Sequence, residues 1–270
     1  MAAARHSPIA IRQSLVRFGH LCFDDFLLLD AHALASSFIL HPSSLADWSL
    51  ALNNAPHILL HLRRLFPDSS FSLQPSSSSD ITSAQSRLVN AFAYELLRAK
   101  APPLYDALPW HDWDFSIVAK RFKLWQTRFL LAGDGTTVTM CRCRKSAGVY
   151  VLEPCEIIAS YIERKAAMEK IRRFKLLRTG LDRIPLPDRS TDLAIIGSIQ
   201  EGLTASALAE LTRVAANALL IENSPLSPPL PEAPLIDAGF RLDSVSVSGL
   251  GQRRCWWLMN KLEVRSQKLD

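Results

Sequence analysis

The sequence lacks the long apolar runs that place a chain in a membrane. A membrane-spanning helix needs ~20 consecutive, predominantly apolar residues, and no segment of this chain meets that requirement. The best candidate, residues 26–40, is interrupted by Asp30 and His32. We therefore expect no membrane span.

Clustered basic charge is also missing. The chain has 31 Lys and Arg against 26 Asp and Glu, a formal net charge of +5, and it contains no run of six basic residues. An excess this dispersed is compatible with an anionic partner but does not by itself indicate nucleic acid.

Cysteine and histidine are not spaced as metal ligands usually are. The five cysteines, in a chain without a clear secretory signal, predict free thiols in a reducing compartment. Cys141 and Cys143 are separated by one residue, so they would face different sides of a helix. Among the histidines of residues 32–61, only His57 and His61 have the spacing that puts two ligands on one helix face, and no acid accompanies them in that helix. We interpret them as surface or core histidines and predict no metal.

Acidic residues are absent from residues 1–23, which carry Arg5, Arg12 and Arg17. This composition resembles an organellar transit peptide, and the alternative is a basic first helix. The expected localisation is cytoplasmic, with an organelle as the alternative if this segment is a transit peptide.

The chain divides by pattern into two parts. Apolar residues recur at helical spacing over residues 21–66, and a serine-rich stretch follows in residues 67–80. A further helix is predicted over residues 81–100. We predict an N-terminal helical extension with its serine-rich linker in residues 1–80, and a second domain in residues 81–270.

An aromatic cluster precedes the second half of the chain. It comprises Tyr105, Trp110, Trp113, Phe115, Phe122 and Trp125. These rings either wall a substrate site or pack the N-terminal helices onto a sheet, and we favour packing because Trp and Phe are usually mostly buried. His111 and Asp112 are the polar residues here that suit a role in proton transfer.

A βαβ unit is predicted next. An apolar run, Arg128–Ala132, ends at Gly133 and Gly135, and a helix over residues 138–146 leads to a second apolar strand that ends on Glu153. Glycines at a strand end allow a tight turn and the close approach of a ligand, and an acid at the next strand end accepts hydrogen bonds from a ribose diol. This combination predicts a nucleoside pocket.

Phosphate is disfavoured in that pocket. Asp134 brings negative charge into the glycine turn, and Thr137 stands where a dinucleotide site has its third glycine. A nicotinamide oxidoreductase is for this reason the weakest interpretation.

Three segments together resemble the class I S-adenosylmethionine-dependent methyltransferases. Residues 132–137 are similar to the glycine-rich first motif of that family, and residues 151–154 to its second strand with the ribose-binding acid. Residues 180–193 are similar to its block of the form LP-x-PD-x-S-x-D, which is the most specific of the three signals. The resemblance extends from about Tyr105 to the C-terminus.

The resemblance implies an α/β fold: a Rossmann-like, seven-stranded methyltransferase sheet with an antiparallel C-terminal hairpin. It implies S-adenosylmethionine as the cofactor. The implied contacts are Ala132, Gly133, Asp134 and Gly135 at the methionine portion, Glu153 and Pro154 at the ribose, Leu181 or Asp182 at the adenine, and Ser198 with Gln200 on the acceptor side.

The remaining strands and two departures from the family follow from the same comparison. Further strands are predicted over residues 174–177, 192–196, 218–222, 240–247 and 255–259.

The turn at residues 215–217 lacks the usual proline and glycines, and no Asn-Pro-Pro-aromatic motif follows the fourth strand, which disfavours amino methylation of a nucleobase or glutamine. The sequence therefore predicts a methyltransferase with an unidentified acceptor, and the alternative is a catalytically inactive fold that acts as an interaction or scaffold module.

Overall fold

The computed structural model describes residues 21–29, 44–66, 78–108, 111–199, 203–223, 229–247 and 253–259. Several predictions fall outside these residues: the acid-free N-terminus up to residue 20, the serine-rich residues 67–77, and the acceptor-side Gln200. The chain forms two compact units, Met1–Pro109 and Trp110–Asp270.

The first unit is helical. Its elements are a 3-10 helix Phe23–Leu28, α1 Ser44–Ala51, a 3-10 turn Leu52–Asn54, α2 Pro56–Leu65, α3 Ser78–Ala91, α4 Ala93–Lys100 and α5 Pro102–Asp106. The single helix expected over residues 81–100 is thus divided at Phe92, whose backbone leaves the helical region. Both of its halves lie in the unit Met1–Pro109.

An aromatic centre holds this unit together. The rings of Phe26, Trp48 and Phe92 are fully buried. Phe26 meets Trp48 edge to face at 4.8 Å and Phe92 at 5.2 Å between ring centroids, the geometry that aromatic quadrupoles favour. Burial of these rings stabilises the packing of the helices.

The two histidines with helical spacing have separate partners. His57 Nε2 lies 2.9 Å from a carboxylate oxygen of Asp24, and His61 Nε2 lies 2.9 Å from the carbonyl oxygen of Leu29. Among the described residues, no group of three or more His, Cys, Asp or Glu is arranged to hold a metal ion.

None of the helices in the described ranges is both long enough and apolar enough to cross a bilayer.

The second unit is a seven-stranded sheet with helices. Its elements are α6 Ser116–Arg121, a 3-10 turn Leu124–Gln126, β1 Arg128–Ala132, α7 Thr136–Arg142, β2 Gly148–Leu152, α8 Glu156–Met168, β3 Phe174–Leu177, β4 Thr191–Ile196, α9 Ala205–Val214, β5 Ala215–Asn223, α10 Ala233–Asp237, β6 Phe240–Val247 and β7 Arg253–Met259. The strand order is β3-β2-β1-β4-β5-β7-β6. Strands β1 to β5 are parallel, and β7 runs antiparallel to both β5 and β6. The predicted α/β sheet with its antiparallel C-terminal hairpin is confirmed.

Both faces of the sheet are covered. Leu130 and Leu219 belong to the buried cluster on one face, and Leu131 and Leu220 belong to the cluster on the other. Such strands read as continuous apolar runs because successive side chains are buried on opposite faces. This is why the central strands could be located in the sequence.

The aromatic segment before β1 is used partly for packing. Trp113, Phe115 and Phe122 pack against the cluster that contains Leu131. Trp125 is 65% exposed, so its ring takes no part in that core. These three rings thus pack on the sheet of their own unit.

The junction before β5 differs from the expected turn. Helix α9 ends at Val214 and β5 begins at Ala215, so residues 215–217 are strand. The register of β5 on β4 shifts between Thr191 and Leu193, which pair with Ala215 and Ala218. The segment has no turn and needs no proline or glycine, because the helix continues directly into a strand with a bulge.

Candidate functional site

The glycine turn after β1 is tightly built. Gly133 and Gly135 have φ values of 78° and 70°, in the left-handed region that glycine adopts at little cost. The Thr136 hydroxyl donates a hydrogen bond to the Gly133 carbonyl at 2.6 Å. Helix α7 begins at Thr136, two residues earlier than expected, because this bond closes the turn at once.

The same turn lies directly against the end of β4. The Gly197 N–H donates to the Ala132 carbonyl at 2.8 Å, and the Asp134 N–H donates to the Ser198 carbonyl at 3.2 Å. A Cβ atom on Gly197 would stand 1.8 Å from the Asp134 carbonyl oxygen, and one on Gly133 would stand 2.6 Å from the Gly197 carbonyl oxygen. Glycine is therefore needed at both positions for the contact between the two loops.

This contact lies where the strand order reverses. β1 pairs with β2 on one side and with β4 on the other, and in open α/β sheets ligands bind at the carboxyl ends of the strands at such a point. The glycine turn separates two sides of this edge: the β2–β3 side and the β4–β5 side.

On the β2–β3 side, Glu153 follows β2 as expected. It is buried, at 4% exposure, and its Oε1 accepts a hydrogen bond from the Cys155 N–H at 3.0 Å just before α8. Its own N–H donates to the Leu177 carbonyl at 3.0 Å, which continues the β2–β3 ladder. Pro154 is exposed beside it. The carboxylate is thus held at the tip of β2.

Leu181 and Asp182 lie in the segment between β3 and β4. Leu181 is half-buried against the core cluster beneath β2 and β4. Asp182 is exposed and accepts a hydrogen bond from the Thr204 hydroxyl at 2.9 Å, while the Thr204 side chain caps α9 by accepting from the Ala207 N–H. This bond links the segment to the start of α9.

The proline-containing block that follows is held by Arg213 of α9. The guanidinium donates to the carbonyls of Ile184 and Leu186 at 2.8 and 2.7 Å and to the Asp188 carboxylate at 2.9 Å. It also makes two bonds of 2.8 Å to Glu210. The most specific sequence signal therefore coincides with a segment that is fastened to α9.

Glu210 completes that arrangement. Its carboxylate accepts the Ile184 N–H at 2.8 Å in addition to the two bonds from Arg213. The Arg213 hydrogen bond, with that N–H, lowers the pKa of Glu210 to about 2 against the opposing effect of burial.

Ser198, expected on the acceptor side, is buried at 5% exposure. Its hydroxyl has no hydrogen-bond partner in the part of the chain that the structure describes. Buried hydroxyls are normally bonded, so this atom has capacity for a bond to a ligand.

The β4–β5 side holds a narrow cleft. It is lined from the ends of β1, β4, β5 and β7 and from the glycine turn, by Leu131, Ala132, Asp134, Gly135, Thr136, Thr139, Ile195, Ile196, Gly197, Leu220, Glu222 and Arg254, with His111 and Trp113 from the segment before α6. Ala132, Asp134 and Gly135 were expected at the site. Glu153, Pro154, Leu181, Asp182 and Ser198 do not line this cleft.

Glu222 and Arg254 form a half-buried ion pair in the cleft. Their side chains are 11% and 12% exposed, and Arg254 Nε lies 2.6 Å from Glu222 Oε2. The Nε–H is not directed at the carboxylate, so the contact is an ion pair without an aligned hydrogen bond. Burial raises the pKa of Glu222 to about 7, the charge of Asp134 adds to the rise, and Arg254 opposes it.

The segment before α6 closes one wall of the cleft. His111 is buried, and its ring lies so close to Gly135 that a Cβ there would be 3.2 Å from His111 Cδ2. Asp112 points away, with an 87% exposed side chain paired with Arg142 at 2.5 Å. Trp113 has the Arg254 guanidinium over its ring at 5.3 Å. The structure therefore brings His111, but not Asp112, to the site.

Sequence reasoning did not assign Glu222 or Arg254 to the site. Glu222 stands at the end of the apolar run of β5, as Glu153 follows the apolar run of β2, so the same pattern could have indicated Glu222. Arg254 pairs with Glu222 across β5 and β7, and no spacing in the sequence indicates that pairing.

A parallel sheet of this order, with antiparallel β7 inserted beside β5 and a glycine turn after β1, is the fold of the class I S-adenosylmethionine-dependent methyltransferases. The described strands thus give this protein the fold that its motifs indicated.

Solved structures with a similar course of the chain include a SAM-dependent methyltransferase from Aquifex aeolicus, at 22% identity and a TM-score of 0.46, over 56% of this chain and 92% of that one. Magnesium protoporphyrin IX methyltransferase from Synechocystis PCC 6803, solved with bound SAM, is 13% identical with a TM-score of 0.45, over 86% and 98%. A SAM-dependent methyltransferase from Methanosarcina mazei is 11% identical with a TM-score of 0.42, over 54% and 97%. No protein-family model and no curated protein matches the sequence.

Proposed function

We propose that this protein is an S-adenosylmethionine-dependent methyltransferase with an unidentified acceptor. The observation that carries the proposal is the buried carboxylate of Glu153 at the tip of β2, next to the strand whose glycine turn marks the reversal of strand order. A buried acid in this place suits a ribose diol, which offers two hydroxyl donors.

The other expected contacts fit the same ligand. Gly133 and Gly135, with Ala132 and Asp134, lie at the methionine portion. Pro154 lies beside the ribose, Leu181 offers an apolar surface to the adenine, and Asp182 offers an acceptor to its amino group. The unpartnered Ser198 hydroxyl supports a polar ligand near the end of β4.

The chemistry asks little more of the chain. S-adenosylmethionine, when bound, supplies a methyl group that its sulfonium has already activated. The protein has to orient the acceptor in line with that methyl and exclude water. The apolar walls of the cleft, Leu131, Ile195 and Leu220, are suited to excluding water.

A second candidate is a methyltransferase fold without turnover that acts as an interaction or scaffold module. The observation that favours it is the direct backbone contact between Gly197 and the Gly133–Asp134 peptide, which leaves only a narrow cleft at the centre of the edge. A closed site would support the scaffold role, and retained cofactor binding would argue against it.

Isothermal titration of the purified chain with S-adenosylmethionine separates the two candidates. We expect binding in about the micromolar range, weakened roughly 10- to 100-fold in Glu153→Gln because a charged acceptor for the ribose is lost. Glutamine keeps an oxygen for the Cys155 N–H, so the strand tip is preserved. Glu163→Gln, an exposed acid of α8 that pairs with Arg178, is the matched control and is expected to bind like the wild type.

Absence of binding to the folded wild-type chain would refute the enzyme and favour the scaffold role. Binding that Glu153→Gln leaves unchanged would remove Glu153 from the ribose.

A further inference from the structure

The amino edge of the sheet, where the parallel strands begin, carries basic charge that is not clustered in the sequence. Its cations come from three segments: residues 122–127 before β1, the turn between α7 and β2, and the turn between α8 and β3. Helices α7 and α8 separate these segments along the chain. The exposed basic residues in them are Lys123, Arg144, Lys145, Lys170, Arg172 and Arg173.

Parallel pairing brings the three segments together. Strand β2 pairs with β1 on one side and with β3 on the other, so the starts of these strands lie side by side, ~4.8 Å apart from one strand to the next. The Ala147 N–H donates to the Thr127 carbonyl at 3.0 Å, and the Arg173 guanidinium donates to the Ala147 carbonyl at 3.3 Å. Charge that is dispersed in the sequence is therefore concentrated by the fold.

Acidic residues compensate part of this charge. Asp192 pairs with Arg128 at the start of β1, and Glu169 lies 3.8 Å from Arg144. The exposed cations that form no ion pair with another described residue are Lys123, Lys145, Lys170 and Arg172. A local excess of exposed positive charge attracts anionic partners and speeds their association.

An exposed indole lies in the same place. Trp125 belongs to the 3-10 turn that leads into β1, and it is 65% exposed, whereas Trp is usually mostly buried. The Thr127 hydroxyl donates to the Lys123 carbonyl at 2.9 Å, which fixes this turn at the start of the strand. A flat aromatic surface beside a row of cations is the combination with which proteins bind single-stranded nucleic acid, by stacking bases and contacting phosphates.

We propose that the amino edge of the sheet binds single-stranded nucleic acid, with a base stacked on Trp125 and phosphates held by the cations of the turns before β2 and β3. An anionic membrane fits this surface less well, because the cations belong to turns and not to one face of an amphipathic helix that could lie in a bilayer surface.

The inference goes beyond the proposed function and does not depend on it. Strand β1 has five residues, so ~17 Å separates the amino edge from the glycine turn at its other end. The proposed surface therefore anchors a nucleic acid away from the cleft.

The test is fluorescence anisotropy of labelled single-stranded RNA, and of DNA with the same sequence, titrated with the full chain between about 50 and about 200 mM salt. We expect both to bind in about the micromolar range at the lower salt concentration, since stacking and phosphate contacts do not need the 2′-hydroxyl. If about four phosphates are neutralised, the logarithm of the association constant should fall with the logarithm of the salt concentration with a slope of about −3.

Two variants separate stacking from charge. Trp125→Ala should weaken binding about tenfold and leave the salt slope unchanged. Arg172→Gln should make the slope shallower by about 0.7, the contribution of one phosphate contact. Arg241→Gln is the matched control, an exposed arginine on β6 at the other end of the strand order, and it should change neither quantity.

Several results would overturn the proposal. One is the absence of oligonucleotide binding to the folded wild type, and another is an unchanged affinity in Trp125→Ala. Equal losses in Arg172→Gln and Arg241→Gln would show that binding follows net charge and not this surface. Binding to vesicles of phosphatidylcholine and phosphatidylserine in place of oligonucleotides, weakened by Trp125→Ala and Arg172→Gln, would assign the surface to membranes. Titration with S-adenosylmethionine is a separate measurement, so failure of this proposal leaves the proposed function standing.

Discussion

Glu210 and Glu222 lie on consecutive elements, α9 and β5. The pKa values of their carboxylates are shifted in opposite directions from that of an ordinary glutamate. Glu210 accepts three hydrogen bonds and its pKa falls to about 2. Glu222 is more deeply buried and is paired with Arg254, and burial, with the charge of Asp134, raises its pKa to about 7. Hydrogen bonding is thus the largest cause of the shift at Glu210, and burial is the largest cause at Glu222.

The two carboxylates belong to different parts of the sheet edge. Glu210 is bonded to the segment between β3 and β4, and Glu222 lies in the cleft on the β4–β5 side. On the β2–β3 side, Glu153 and Asp182 are hydrogen-bonded to neighbouring backbone and side chains. On the β4–β5 side, the carboxylate of Glu222 is paired with Arg254 and largely withdrawn from solvent, and burial is the largest cause of its raised pKa.

The largest effect is expected where the two sides meet. Gly197→Ala should destabilise the fold by more than about 3 kcal/mol, because the new methyl group collides with backbone that has no rotamer to change. Chemical denaturation followed by circular dichroism measures this. Gly180→Ala is the matched control, since nothing lies within 4 Å of a Cβ there, and it should leave the midpoint nearly unchanged. Equal midpoints for the two variants would show that the loops are not in contact.

Glu210→Gln should remove about 2 kcal/mol of stability near neutral pH, because Arg213 and the Ile184 N–H lose a charged acceptor. The pKa of Glu210 is lowered in the folded state, so its stabilisation is present above about pH 4.5 and disappears as the pH falls towards 2. The difference between variant and wild type, read from urea midpoints, should therefore shrink below about pH 4. A difference that is independent of pH would assign the loss to packing instead.

For Glu222→Gln the pH dependence should have the opposite sign, so that the stability of the variant relative to the wild type rises by about 2 kcal/mol between about pH 4.5 and pH 8. The pKa of Glu222 is raised in the folded state, so the wild type loses stability between about pH 4.5 and 7, where the unfolded chain is ionised and the folded chain is not. The variant has no such loss. The two proteins should unfold at similar urea concentrations near pH 4.5 and diverge as the pH rises. A variant that is less stable than the wild type at pH 8 would contradict the comparison.

The smallest effect on stability is expected at Asp182, which is exposed. Asp182→Ala should change the free energy of unfolding by less than about 0.5 kcal/mol, since Thr204 still caps α9. Its affinity for S-adenosylmethionine should fall by up to about tenfold if the side chain meets the adenine. Parallel denaturation and titration of this variant measure both, and a large loss of stability would place Asp182 among the structural groups of the β2–β3 side.

The sequence was sufficient for the elements whose signals are local. The strand before Gly133, the acid after β2 and the final hairpin were each visible as apolar runs with turn residues or an acid at their ends. The helix over residues 81–100 was predicted as one piece because its apolar spacing continues through Phe92, and only the packing of that ring with Phe26 and Trp48 distinguishes the two parts.

The candidate site was predictable only in part, for a physical reason. Glu153 and the glycine turn belong to one βαβ unit, so their proximity follows from chain connectivity. Glu222 and Arg254 meet because β7 inserts beside β5 in one particular register, and Gly197 meets Asp134 because β4 crosses over to pair with β1. Contacts of this kind depend on long-range pairing, which residue spacing alone does not encode.

The register shift in β5 has a consequence for deletions. Between the pairs Thr191–Ala215 and Leu193–Ala218, β5 has one residue more than β4, so losing Ala216 or Asn217 would leave a regular ladder with Glu222 still facing the cleft. Losing a residue beyond Ala218 would instead turn Glu222 to the opposite face of the sheet, because side chains alternate along a strand. A deletion is therefore tolerated at Ala216 or Asn217, whereas a deletion between Ala218 and Glu222 moves the acid out of the cleft. The number of residues in β5 matters to the site as much as the identity of its acid.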